Sequence, residues 1–157
     1  MGEAQLYRWL NLGGGIELYP RAPYYGDDEA PFSGRERQFS LNATFQPDER
    51  WNQQVSFNRD VFDRLSGQRV FAVSVVTSRT TYQFSRQFSA RMIARFDSSR
   101  KRVLGDLLAA YEFVPGTVAY AGYGSLYERR GWDGADWQPG EGHYQNMRRG
   151  FFFKISY

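Results

Sequence analysis

The sequence contains no cysteine and a single histidine, His143. Thiolate metal sites, thiol nucleophiles and disulfide staples are therefore excluded, and one imidazole gives little basis for a His-based triad or zinc site. Long apolar runs are also missing. No stretch approaches the ~18 residues that a membrane-spanning helix requires. The start, Met1-Gly2-Glu3-Ala4, has neither the basic residues nor the apolar core of a secretory signal. Net charge is only +3. Its lysines and arginines are scattered along the chain rather than gathered into the basic stripe that nucleic-acid binding needs. No composition shift divides the chain, so residues 1–157 are read as one domain.

Aromatic residues, by contrast, are abundant. They make up 18% of the chain, yet mean hydropathy is −0.62. That combination is awkward for a soluble globule but natural for strands whose two faces differ in chemistry. Period-two alternation, the strand signature, dominates. In Phe39-Ser40-Leu41-Asn42-Ala43-Thr44-Phe45 every odd residue is apolar. Phe88 to Phe96 and Val103 to Phe113 repeat the pattern, and Phe151, Phe153, Ile155 and Tyr157 share one face at the C-terminus.

The alternation predicts about eight strands, at 5–18, 36–46, 51–63, 69–84, 87–97, 102–113, 117–128 and 148–157. In the fourth, Phe71, Val73 and Val75 alternate before Val76, Thr80, Tyr82 and Phe84 take over, as a bulge or a projecting stretch would cause. Links after the second, fourth and sixth strands are short. Those after the first and seventh are long. Short periplasmic turns and long external loops characterise outer-membrane barrels. The expected fold is therefore all-β: a transmembrane antiparallel up-and-down β-barrel in the bacterial outer membrane, with an even strand count and both termini periplasmic. The chain is expected to be a mature form or part of a longer protein, since export requires a signal. The alternative, a soluble barrel, would bury the apolar face and leave the charged one in water.

On the polar face the alternation gathers Glu17, Asp60, Arg79, Arg91, Arg95, Asp106, Glu112 and Lys154. An eight-stranded barrel is just wide enough for side chains to fill, so these are expected to form a paired charge network plugging the lumen. A narrow solute path is the alternative. Phe45, Trp51, Tyr82, Phe84, Phe88, Phe113 and Tyr157 fall near the periplasmic strand ends, where an interfacial aromatic girdle belongs. Gly13-Gly14-Gly15 is no phosphate loop, because neither Lys-Ser/Thr nor a helix follows. Glycines in a strand instead make room for a neighbour.

The long loops combine aromatic and acidic residues: Tyr24, Tyr25, Asp27 and Asp28 in one, Trp132, Asp133, Asp136 and Trp137 in the other. Such groups suit a sugar ring or a calcium ion. Ordinary external loops, their acids bridged to lipopolysaccharide by divalent cations, are the plainer reading. No metal, cofactor or catalytic set is expected, and the chain is not read as an enzyme.

Arg149-Gly150-Phe151-Phe152-Phe153-Lys154-Ile155 fits the polar-Gly-x-x-aromatic-x-hydrophobic pattern of a barrel's last strand, the signal read by the outer-membrane assembly machinery. Thr81 to Arg91, together with Val114-Pro115-Gly116-Thr117, resembles the C-terminal region of a family of large bacterial proteins of unassigned function. Asn11 to Gly15 and Phe153 to Tyr157 are similar to other strands of that region. The resemblance implies an outer-membrane barrel that follows a carbohydrate-binding-like β-sandwich. No sandwich is present here, and family members continue past the Tyr157 equivalent to end on an aromatic. It implies no catalytic residues. The expected role is a structural or anchoring barrel with external loops; the alternative is a pore or transporter, possibly as part of a larger barrel.

Overall fold

The computed structural model describes residues 2–25, 30–132, 137–139 and 142–157. The strands are β1 (Gly2–Tyr7), β2 (Leu10–Tyr24), β3 (Phe32–Phe45), β4 (Trp51–Arg64), β5 (Arg69–Gln83), β6 (Phe88–Asp97), β7 (Arg102–Val114), β8 (Thr117–Trp132), β9 (Trp137–Pro139) and β10 (His143–Ser156). They form one antiparallel sheet in the order β1-β2-β3-β4-β5-β6-β7-β8-β10, with β9 pairing the tip of β8. Among the described residues there is no helix long and apolar enough to cross a membrane, which says nothing of crossing by strands.

The sheet is open. β1 pairs only with β2, and β10 only with β8, so the expected pairing of the first strand with the last is absent among the described residues. The predicted strand 5–18 is itself a hairpin that turns at Arg8-Trp9, with Tyr7 opposite Leu10 and Gln5 opposite Asn11. Sequence alternation alone misses this break because Leu6, Trp9 and Leu10 supply apolar residues on both sides of it. The path consequently holds nine strands rather than eight.

Turn chemistry explains the other reversals. Asp48 accepts the N–H groups of Arg50 (2.9 Å) and Trp51 (2.8 Å), closing the β3–β4 turn with its own side chain. Ser85 Oγ does the same for Phe88 N–H at 3.0 Å. In Val114-Pro115-Gly116-Thr117, proline presets its φ and Gly116 takes φ +90°. Neighbouring turns bond one another: Gln46 N–H donates to Trp9 O (2.7 Å), Gln83 N–H to Arg50 O (2.8 Å) and Glu112 N–H to Gln87 O (2.8 Å).

Two long links are shorter than expected. β2 runs on to Tyr24, β3 starts at Phe32, and β8 and β10 reach Trp132 and His143. The backbone ladder continues there although the apolar alternation that marks a strand in sequence has stopped. In β5 the register with β4 is unbroken from Val73 to Tyr82, so no bulge separates its two patterns. The odd residues Phe71, Val73 and Val75 simply belong to the opposite face from Val76, Thr80 and Tyr82.

Candidate functional site

Register assigns every strand residue to one of two faces. Leu12 lies opposite Ala43, Ala43 opposite Val55, Val55 opposite Ser78, Ser78 opposite Ala94, Ala94 opposite Gly105, and Gly105 opposite Ser125. Rows parallel to this one bring Phe39, Leu41, Phe45, Phe88, Met92, Phe96, Tyr111, Phe151 and Phe153 onto the same apolar face. Arg91, Arg95, Asp106, Glu112 and Lys154 fall on the other, as the alternation requires. The apolar face is largely uncovered: Phe151 is 84% exposed, and Leu41, Met92 and Leu107 are exposed with it.

One edge of this face is an aromatic rim. Ring contacts run from Tyr7 to Trp9 (5.0 Å), Trp9 to Phe45 (5.4 Å) and Phe45 to Trp51 (5.6 Å). Trp51 stands opposite Tyr82, and contacts resume through Phe84 (4.8 Å), Phe88 (4.9 Å), Tyr111 (6.5 Å) and Phe113 (4.8 Å). Six of the expected girdle residues, Phe45, Trp51, Tyr82, Phe84, Phe88 and Phe113, thus join one belt. Tyr157 lies at the same end but is fully exposed and belongs to no ring pair among the described residues. Sequence reasoning missed Tyr7 and Trp9, hidden by the unrecognised hairpin, and Tyr111, whose parity with Phe113 was visible.

The opposite edge is cationic. Arg37 shares its face with Phe39, and Arg59 stands opposite Phe39. Counting inclusively from Phe45 to Arg37 on β3, or from Trp51 to Arg59 on β4, gives about nine positions, within the ~9–11 residues a tilted strand needs to span hydrocarbon. From β2 to β8 this face carries no Asp, Glu, Lys or Arg between the two edges; on β10 it carries Arg149, opposite Ser125. Its larger polar groups satisfy each other: Gln53 Nε2 donates to Ser78 Oγ at 2.8 Å and Thr80 Oγ1 donates to Gln53 Oε1, so little polar capacity is left unmet in an apolar setting. Beyond Arg59, Asp63 pairs with Arg37 and, at 3.1 Å, with Arg69. Hydrogen bonds from Arg69 and then Arg37 hold its carboxyl below the ordinary range, against partial desolvation.

The eight charges expected to pair in a lumen all lie on the polar face, but no ion pair joins two of them among the described residues. Glu17 accepts a hydrogen bond from Tyr19 (2.7 Å), and Glu112 one from the Gly116 N–H (3.2 Å). Glu17 and Asp60 occupy one row with Gln38 between them. Arg79 stands opposite Ile93, with Arg91 and Arg95 diagonal to it, so three guanidiniums cluster. Asp106 stands opposite Ile93 on the next strand. It lines a groove of about 570 Å³ with Arg91 and Arg148, floored by Gly124 and Gly150. Lys154 lies opposite Tyr120 on the edge strand. Ion pairs on this face form instead at the outer end, Arg102 with Asp97 (3.4 Å) and Arg130 with Glu128 (3.3 Å).

Tyr24, expected in a loop, ends β2. Its ring meets Phe32 (4.9 Å), Phe62 (5.3 Å) and Phe71 (6.3 Å) in a cluster on the polar face. Phe62, 2% exposed, is its centre. Tyr25 is 76% exposed just beyond. Trp132 and Trp137 are backbone register partners across β8 and β9, and Asp27, Asp28, Asp133 and Asp136 lie outside the described residues. Gly14 sits in β2, where a Cβ would come 2.9 Å from Ser40 O. That is the close approach expected of a strand glycine rather than a phosphate cradle. No protein-family model matches the chain, and neither does any curated protein or solved structure.

Proposed function

We propose that the chain is the wall of a bacterial outer-membrane β-barrel, its apolar face turned to lipid and its polar face to a lumen, and that its role is structural: to anchor its outward loops and any attached domain in the membrane. One observation carries the reading. From β2 to β8 a charge-free apolar band about nine residues deep lies between an aromatic rim and, on β3 to β5, an arginine rim. A soluble sheet gains nothing from that layering, whereas a bilayer demands it. Exposed apolar patches above a few hundred Å² mark contact with a partner or a membrane, and this one extends across β2 to β8 and onto β10. All the turns at the aromatic rim are short. This fits a periplasmic aromatic end and an outward arginine end, and lipopolysaccharide and the assembly machinery follow as partners.

The test is insertion. The urea-unfolded chain, diluted into vesicles carrying brominated acyl chains, is expected to float with the lipid. Trp9 and Trp51 should be quenched most by bromines placed shallowly. A chain that stays monodisperse in buffer and ignores the vesicles would overturn the membrane reading.

A second reading, a section of a larger and conducting barrel, draws on the sheet's edges. With nine antiparallel strands on the path, β1 and β10 run in the same direction. They cannot pair antiparallel with each other. Further strands between them would resolve this, and a wider lumen would leave room for Arg79, Arg91 and Arg95, which make no ion pair among the described residues.

A further inference from the structure

We infer that the arginine rim of the apolar face is a binding site for a bisphosphorylated acyl glycolipid; the inference rests on the lipid-facing reading of this side of the sheet. A groove of about 290 Å³ lies there, with Ile16, Leu18, Phe39 and Val61 among its lining residues. Arg37, Arg59 and Arg69 line the same groove. An apolar trench that ends among guanidiniums is complementary to an acyl chain that ends at an anionic head. Charge balance sets the kind of head. Among the described residues Asp63 is the only carboxylate on this face beside the cluster, and it is shared between Arg69 and Arg37. Arg59 makes no ion pair among the described residues. The three guanidiniums of the groove against one carboxylate leave two positive charges, and Arg35 on the same face opposite Asp63 adds a third, an excess better matched by two phosphates than by the single phosphate of a glycerolipid. Guanidinium forks also suit phosphate oxygens bidentately.

The surroundings fit a head larger than glycerol. β2, β3, β4 and β5 all continue beyond the rim, to Tyr24, from Phe32, to Arg64 and from Arg69. They offer a polar wall at the height a sugar would occupy, with Arg35 on the same face, opposite Asp63. Phe96, Val103 and Tyr127 on β6, β7 and β8 continue the row of Leu41, Phe57 and Val76, one side-chain position nearer the aromatic rim than Arg59.

The experiment uses the whole chain refolded in detergent micelles, with retained lipid counted by native mass spectrometry. Hexa-acyl diphosphoryl lipid A, its monophosphoryl form and phosphatidylglycerol serve as separate probes. Diphosphoryl lipid A is expected to be retained one per chain, and R37Q/R59Q/R69Q to weaken it roughly tenfold, the scale of a lost charge-assisted hydrogen bond. Should the triple variant fail to insert into vesicles, R59Q alone is read, with a loss of about threefold expected because no ion pair is disturbed. Unchanged retention in an inserted variant overturns the site, as does equal retention of phosphatidylglycerol. A wild-type chain that does not enter vesicles overturns the membrane reading itself, which separates the two failures.

Discussion

Leu41 and Asn42 are sequence neighbours on opposite faces of β3: Leu41 stands between Gly14 and Phe57, Asn42 between Gly13 and Ser56. An arginine placed at each therefore enters two different media. If the apolar face meets lipid as proposed, the cost near mid-band is ~2–4 kcal/mol; on the polar face the charge would remain hydrated. Leu41→Arg should lower the folding free energy in vesicles by that amount, and Asn42→Arg should change it by well under ~1 kcal/mol, as read from reversible urea titrations. Equal effects would mean that the faces are not distinguished by lipid. Two glycines on the polar face give a graded packing test. A Cβ at Gly34 would strike both the Phe62 ring and, at 2.5 Å, Asp63 O. Phe62 cannot move away, because Tyr24 and Phe71 hold it. The three atoms nearest a Cβ at Gly122 all belong to the Phe152 ring, at clashing distance, and that side chain is 54% exposed and can swing outward. Gly34→Ala should cost about 1–3 kcal/mol by overpacking, and Gly122→Ala clearly less, as melts in micelles would show.

Where β3, β4 and β5 leave the apolar band, Asp63 ties them together through Arg37 and Arg69. Its carboxyl titrates below the ordinary value because those guanidiniums favour the charged form. The sign follows: an acid whose folded pKa is depressed contributes stability above its unfolded value near ~4, lost as pH falls through the folded value. Hydrogen exchange at the outer ends of β4 and β5 should accelerate in that acid window, and Asp63→Asn should abolish the change by removing the titrating group. An identical acid response in Asp63→Asn would refute the assignment. The elements themselves were largely legible in the sequence. Strands 51–63, 87–97 and 102–113 correspond closely to β4, β6 and β7, because alternation and turn residues coincide there. The outer ends of β2, β3, β8 and β10 were not, since strand pairing beyond an apolar layer needs no alternation. Of the site, the belt from Phe45 to Phe113 was legible as parity plus position. The arginine rim was missed although Arg37 shares parity with Phe39, and Arg59 with Phe57. Attention to apolar residues on that face passed over the charges that bound it. The charge network was legible only as a face, because pairing depends on which strands meet across a lumen.

If the whole molecule spans a membrane as proposed, its two bare edges would lie in hydrocarbon, where each unsatisfied backbone group costs several kcal/mol. β1 covers β2 only from Leu10 to Gly14, leaving the rest of that edge unpaired, while β10 presents a ladder of comparable length to β2. β2 and β10 run in opposite directions. If β1 yields its place, β2 through β8 and β10 close antiparallel as eight strands, which enclose little more than their own side chains. If β1 stays, an odd number of further strands must intervene. The absence of cysteine makes the choice measurable. Cysteine pairs combining Leu12 or Ile16 on β2 with Phe151, Phe153 or Ile155 on β10 would sample the possible registers, since a disulfide needs Cβ atoms within ~3.5–4.5 Å. Closure on eight strands predicts an intramolecular disulfide in at least one pair of the vesicle-inserted chain, and negligible current in planar bilayers. The larger barrel predicts no intramolecular cross-link in any pair. It also predicts stepwise conductance preferring anions, because Arg79, Arg91 and Arg95 cluster on the polar face beside Asp106, while Asp97, two residues from Arg95, is paired with Arg102, and Arg91→Glu should then shift selectivity toward cations. A cross-linked chain that nevertheless conducts strongly would defeat the filled-lumen form of the anchoring role.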